Sequence, residues 1–109
     1  VKRFRVLWTE VARDDLHRIV DFIAAEAPLN AEKVADRLEA LANSLESFPG
    51  RGRVVPELAR HGLVEWLEVG SPPWRLVYRV QKRTVYVVAL VDGRRRLEDL
   101  LFERLVQGD

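Results

Sequence analysis

Cysteine and methionine are both absent from these 109 residues. Without thiols the chain cannot build a disulfide, a thiolate metal site or a cysteine nucleophile. Histidine is nearly as scarce, with only His17 and His61. Long hydrophobic runs are missing too. The longest covers the seven residues 85–91, far below the ~20 that a membrane helix needs. The opening Val-Lys-Arg-Phe-Arg lacks the apolar core of a signal peptide. No internal repeat, low-complexity tract, nucleotide-binding loop or nucleophile triad is visible. These absences lead us to expect one cytoplasmic domain over residues 1–109, with no membrane partner, metal or cofactor.

What is present is arginine, and it is unevenly spread. The net charge is only +1. Residues 1–50 carry 7 basic and 9 acidic groups, residues 51–96 carry 10 and 4, and residues 97–109 carry 1 and 4. The second half is therefore cationic ahead of an acidic tail, an asymmetry that suits an anionic partner. A solvated mixed-charge surface is the plainer alternative.

Periodicity orders the elements. Phe4, Val6 and Trp8 alternate with Arg3, Arg5 and Leu7, as in a half-buried strand. Thr9 can cap a helix with Glu10 in its first turn. Ala12, Leu16, Ile19 and Ile23 form its apolar stripe, and Pro28 should end it near Ala27. Asn30 is the expected cap of a second helix striped by Ala31, Val34, Ala35, Leu38, Leu41, Ala42 and Leu45. The short link between the two predicts an antiparallel hairpin.

Phe48-Pro49-Gly50-Arg51-Gly52-Arg53 reads as a turn, residues 54–62 as an irregular connection, and residues 64–69 as a short strand ended by Gly70-Ser71-Pro72-Pro73. Residues 74–80 alternate, with Trp74, Leu76, Tyr78 and Val80 opposite Arg75, Val77 and Arg79. Residues 84–91 are apolar on both faces and so belong inside the sheet. Leu97, Leu100, Leu101 and Leu105 suggest a short final helix. The fold class expected is α+β: an antiparallel-rich twisted sheet with an N-terminal strand, a helical hairpin on one face, three C-terminal strands and a short C-terminal helix.

Four stretches, in this order, resemble the RelE/ParE superfamily of toxins from bacterial type II toxin–antitoxin modules. They are Trp8-Thr9-Glu10-Val11-Ala12-Arg13-Asp14-Asp15-Leu16, then Phe48-Pro49-Gly50-Arg51-Gly52-Arg53-Val54-Val55-Pro56-Glu57, then Trp74-Arg75-Leu76-Val77-Tyr78-Arg79-Val80 and Asp92-Gly93-Arg94-Arg95. The resemblance implies a growth-inhibiting protein neutralised by a cognate antitoxin. Its target would be either DNA gyrase, as in ParE-like members, or ribosome-bound mRNA, as in RelE-like nucleases. The protein could be a homodimer or part of a toxin–antitoxin hetero-oligomer.

Site residues must separate the targets, because fold does not determine function. Metal-free RNA cleavage needs a proton acceptor, donors for the developing phosphate charge, and help for the leaving oxygen. Arg75, Arg79 and Arg95 are the catalytic candidates if the chain is a nuclease, with Arg75 matching the superfamily's strand arginine. Arg53, Arg75, Arg79, Arg94, Arg95 and Arg96 are the candidates for anion or target binding. Proton-transfer groups are lacking, since arginine stays protonated. Where RelE-like nucleases commonly carry a tyrosine or histidine, residues 94–102 hold neither. Glu98 could serve as a base or as a helix-dipole partner. Tyr78 and Tyr86 occupy apolar-facing strand positions that suit core packing. The reading favours a ParE-like gyrase poison, with a RelE-like endonuclease and an inactive module that only binds antitoxin as alternatives. Leu97, Leu100, Leu101 and Leu105 either dock on the sheet or line a groove for the antitoxin.

Overall fold

The computed structural model describes residues 3–94, 97, 98, 100, 101 and 104. Strand β1 (Arg5–Trp8) leads into helix α1 (Glu10–Ala24) and helix α2 (Pro28–Asn43), followed by a 3-10 turn (Ser44–Glu46). A two-residue strand β2 (Arg53–Val54) and a one-turn helix α3 (Pro56–Ala59) precede β3 (Trp66–Ser71), β4 (Trp74–Gln81) and β5 (Thr84–Asp92). The strands form one sheet in the order β1-β5-β4-β3-β2. Only β1 runs parallel to its neighbour; the other three pairings are antiparallel. The α+β expectation is met, with the helical hairpin packed on one face.

Local chemistry explains the helix ends. Thr9 Oγ1 accepts from the Ala12 N–H at 3.2 Å, the expected cap of α1. The second helix departs from expectation. It starts at Pro28, with Ala27 rather than Asn30 at the cap position and no side-chain cap bond. Proline at the first helical position gives up no hydrogen bond and presets φ, so the helix begins two residues before the asparagine. The first helix also stops at Ala24, earlier than Pro28 alone would require.

Both helical stripes face the sheet. Ala12, Leu16, Val34, Leu38, Ala42 and Leu45 pack against Val69, Leu76, Tyr78, Val85, Val87 and Leu90. Leu38, Ala42 and Leu45 are fully buried, and a buried leucine stabilises the fold by roughly 1.5–3 kcal/mol. Strand β5 lies between β1 and β4, as its two-sided apolar sequence predicts.

The opposite face carries a second apolar cluster of Val55, Leu58, Trp66, Val77, Ala89, Val91, Leu97 and Leu101. A bulge in β5 makes both clusters possible. Val77 pairs with Ala89 and Tyr78 with Val87, so Val88 has no partner in β4. The extra residue shifts the alternation. Val85 and Val87 face the hairpin, whereas Ala89 and Val91 face away from it.

Two further corrections concern the connection. Residues 54–62 are not irregular throughout, because Pro56 and Glu57 open α3. The strand expected at 64–69 is shifted to Trp66–Ser71, and only Pro72 and Pro73 separate it from β4. Glu98, Leu100, Leu101 and Arg104 are helical, in agreement with a C-terminal helix. No described helix is long and apolar enough to cross a membrane.

Candidate functional site

The second sheet face brings Arg53 and Arg75 together around a buried acid. Glu68 lies on β3, between Leu67 and Val69, and is only 5% exposed. Register sets it opposite Val77 of β4 and Arg53 of β2. Its carboxylate accepts from Arg53 Nε at 2.7 Å and from Arg75 Nε. The rest of the Arg75 fork is filled by Glu57 of α3. Nη1 donates to Oε2 at 2.7 Å and Nη2 to Oε1 at 2.8 Å, the parallel two-bond geometry that suits guanidinium and carboxylate.

The charges hold one another in the ionised state. The bonds from Arg75 lower the Glu57 pKa from 4.5 to about 2, against the opposing effect of burial. Glu57 in turn raises Arg75 further above its ordinary value, with Glu68 adding to the effect. This chain of alternating charges ties α3 and β2 to the sheet. Beside it lies a cleft of about 350 Å³ lined by Arg51, Arg53, Gly70 and Arg75 among others.

Tyr78 closes the turn next to this cleft. Its side chain is fully buried. The hydroxyl donates to the Pro49 carbonyl at 2.7 Å and accepts from the Gly52 N–H at 3.0 Å. Burial raises the phenol's pKa, and the bond to Gly52 only partly offsets that. Residue 52 must be glycine for this approach. A Cβ there would lie 2.5 Å from the phenol oxygen and 2.6 Å from the Glu68 carbonyl oxygen.

The other expected arginines are also engaged. Arg79 lies over the Trp66 ring, 5.0 Å from its centroid, a cation–π contact. Arg94 is exposed beyond β5 and chelates Asp92, with Nη2–Oδ2 at 2.7 Å and Nε–Oδ1 at 3.0 Å. Arg53 and Arg75 therefore meet at Glu68, whereas Arg79 packs on Trp66 and Arg94 pairs with Asp92. Arg95, Arg96 and Leu105 lie outside the described residues. His61 Nε2 is 2.7 Å from Glu98, which also faces Arg60 at 3.7 Å. Glu98 is thus tied to α3's end by a base and an imidazole rather than standing alone at a helix start.

A groove of about 710 Å³ opens on the side where α1 meets the end of β5. Its apolar lining comes from Ile19, Phe22 and Ile23 of α1, from Trp74, Leu90 and Val91 of the sheet, and from Leu97 and Leu100. Phe22 is 81% exposed. The expectation that the C-terminal leucines meet a partner narrows here. Leu97 and Leu101 are buried in the second cluster, because they cover apolar residues of the sheet, whereas Leu100 is exposed. Among the described residues, no group of three or more histidine, aspartate or glutamate side chains could hold a metal ion.

Sequence reasoning missed Glu57 and Glu68 as partners of Arg75, and Asp15 and Arg104 as partners of each other. The one visible signal was Glu68 itself, an acid between apolar strand neighbours, which burial obliges to find a base.

Comparison with known proteins follows the same line. A family model described as the ParE toxin of a type II toxin–antitoxin system, parDE, matches residues 6–97. Toxin RelE2 of Caulobacter vibrioides is 35% identical over 86 residues, spanning 79% of this chain and 91% of that protein. Toxin ParE3 of the same organism is 31% identical over 97 residues, spanning 85% and 90%. In fold the chain is similar to a chain of the chromosomal ParDE system from P. aeruginosa, with a TM-score of 0.68 and 17% identity over 82% of this chain and 95% of that one. It is also similar to a chain of the RelBE2 toxin–antitoxin complex from Mycobacterium tuberculosis, with a TM-score of 0.62 and 22% identity over 84% and 93%.

Proposed function

Since this chain belongs to the ParE toxin family of type II toxin–antitoxin systems, we propose that it arrests growth by binding DNA gyrase. One observation carries the choice of target. The Arg75 fork, the best candidate for gripping a scissile phosphate, is already filled by Glu57 and Glu68. A phosphate would have to displace two carboxylates, one of them buried. Tyr78 is buried with a raised pKa, and its hydroxyl is committed to two backbone groups. A poison that acts by binding needs no proton-transfer pair. Its contact surface would be Arg94 and the segment that follows it.

The relative named RelE2 favours a second reading, that of a ribosome-dependent nuclease. Purified chain added to gyrase should inhibit supercoiling or trap cleaved DNA, and should leave ribosome-bound message intact. Message cut at defined codon positions would establish the nuclease instead. Unimpaired growth at verified soluble expression would favour a module that only binds antitoxin.

The partner is a cognate antitoxin, and the groove between α1 and the C-terminal segment is our proposed seat for it. Its apolar lining suits the apolar face of an amphipathic segment. Phe22→Glu should abolish neutralisation while leaving growth arrest in place. Neutralisation that persists in this variant would move the antitoxin elsewhere.

A further inference from the structure

Asp15 is a buried carboxylate that none of the chemistry above uses. It lies on α1 at 5% exposure, and a buried charge is tolerated only when partnered. The reason for its position lies in the sheet. Strand β1 ends at Trp8, opposite Val87, while β5 continues to Asp92. Beyond Val87, and past the Val88 bulge, this edge of β5 has no neighbouring strand among the described residues. Asp15 Oδ2 takes over there, accepting from the Leu90 N–H at 3.0 Å.

The same oxygen accepts from Arg104 Nη1 at 2.6 Å, across 89 residues of sequence. The other oxygen accepts from Arg18 at 3.0 Å. Arg104 is largely covered, with its side chain 21% exposed, whereas the Arg18 side chain is 66% exposed. The C-terminal segment is thus attached at two kinds of point. Leu97 and Leu101 sink into the second apolar cluster. Apolar burial is non-directional and fixes how deeply the segment sits. The Arg104 bond is directional and constrains how the segment is turned, with Leu100 lining the same groove as Phe22.

We propose that Asp15 is a positioning residue. It holds the C-terminal segment in one orientation through Arg104, and so shapes the groove that both side chains help to line. The functional consequence rests on the reading that target and antitoxin engage this segment.

Amide hydrogen exchange on the purified full chain tests the proposal. The Leu101 N–H bonds the Leu97 carbonyl at 2.8 Å and reports on the segment. The Leu90 N–H reports on the sheet edge. Arg104→Ala should speed exchange at Leu101 at least tenfold and leave Leu90 unchanged, and Arg104→Lys should restore most of the protection. Asp15→Asn keeps an oxygen for Leu90 but loses the charge. It should match Arg104→Ala at Leu101, and the double variant should be no worse than Arg104→Ala. Unaltered Leu101 exchange in Arg104→Ala, or equal acceleration at Leu90 and Leu101, would overturn the proposal. Growth arrest separates the two ideas. A loosened Leu101 with arrest undiminished upholds the clasp and removes the segment from target binding.

Discussion

The two faces of the sheet are held by different forces. Under the helical hairpin, α1 and α2 cover Leu76, Tyr78, Val85 and Val87 with interlocking apolar side chains. On the other face a smaller apolar cluster is continued by ions, Glu57–Arg75–Glu68–Arg53. The first face tolerates error in direction but not in volume. The second tolerates neither, because each buried charge depends on a specific partner. An arginine-rich strand is therefore a weak sign of an open anion site until its carboxylates have been found.

Arg75→Ala is the strongest way to break this comparison. It leaves buried Glu68 with Arg53 alone and releases Glu57, so unfolding by urea should show a loss towards the lower end of the about 3–5 kcal/mol range for breaking a buried pair from one side. An open phosphate ligand would instead be removable with stability intact. On the hairpin face, Leu38→Ala should cost about 2–5 kcal/mol by the same measurement, through a lost transfer energy and a residual cavity.

Tyr78→Phe comes next. It leaves the ring packed but removes one donor and one acceptor, for about 1–3 kcal/mol, with the loss set by the unpaired Gly52 N–H and Pro49 carbonyl. The smallest effect should be the pH dependence carried by Glu57. Its folded pKa of about 2 lies below the ordinary 4.5. Its contribution is therefore complete above about pH 5 and fades as the pH falls towards 2. Melting followed across that window should decline less steeply in Glu57→Gln than in the parent chain.

The difference between the faces also governs what the sequence made legible. The stripes of α1 and α2, the Thr9 cap, the two-sided β5 and the C-terminal helix are local patterns with a fixed period, so they could be read directly. Asn30 misled because a proline two residues earlier offered an equally good start. Helix α3 escaped because four residues are too few to show a period. The ion network was invisible for another reason. Glu57 and Arg75 are 18 residues apart, and Arg104 and Asp15 are 89 apart. Their meeting depends on strand register and on the Val88 bulge, neither of which has a periodic signature. The sequence revealed the arginines but not the carboxylates that hold them.

Incubation of the purified chain with DNA gyrase and relaxed plasmid tests the account most directly, run beside a reaction with translating ribosomes and message. The account predicts blocked supercoiling or trapped DNA breaks in the first reaction and uncut message in the second. Cleaved message with gyrase untouched would mean that Glu57 and Glu68 yield Arg75 to a phosphate, and would contradict it.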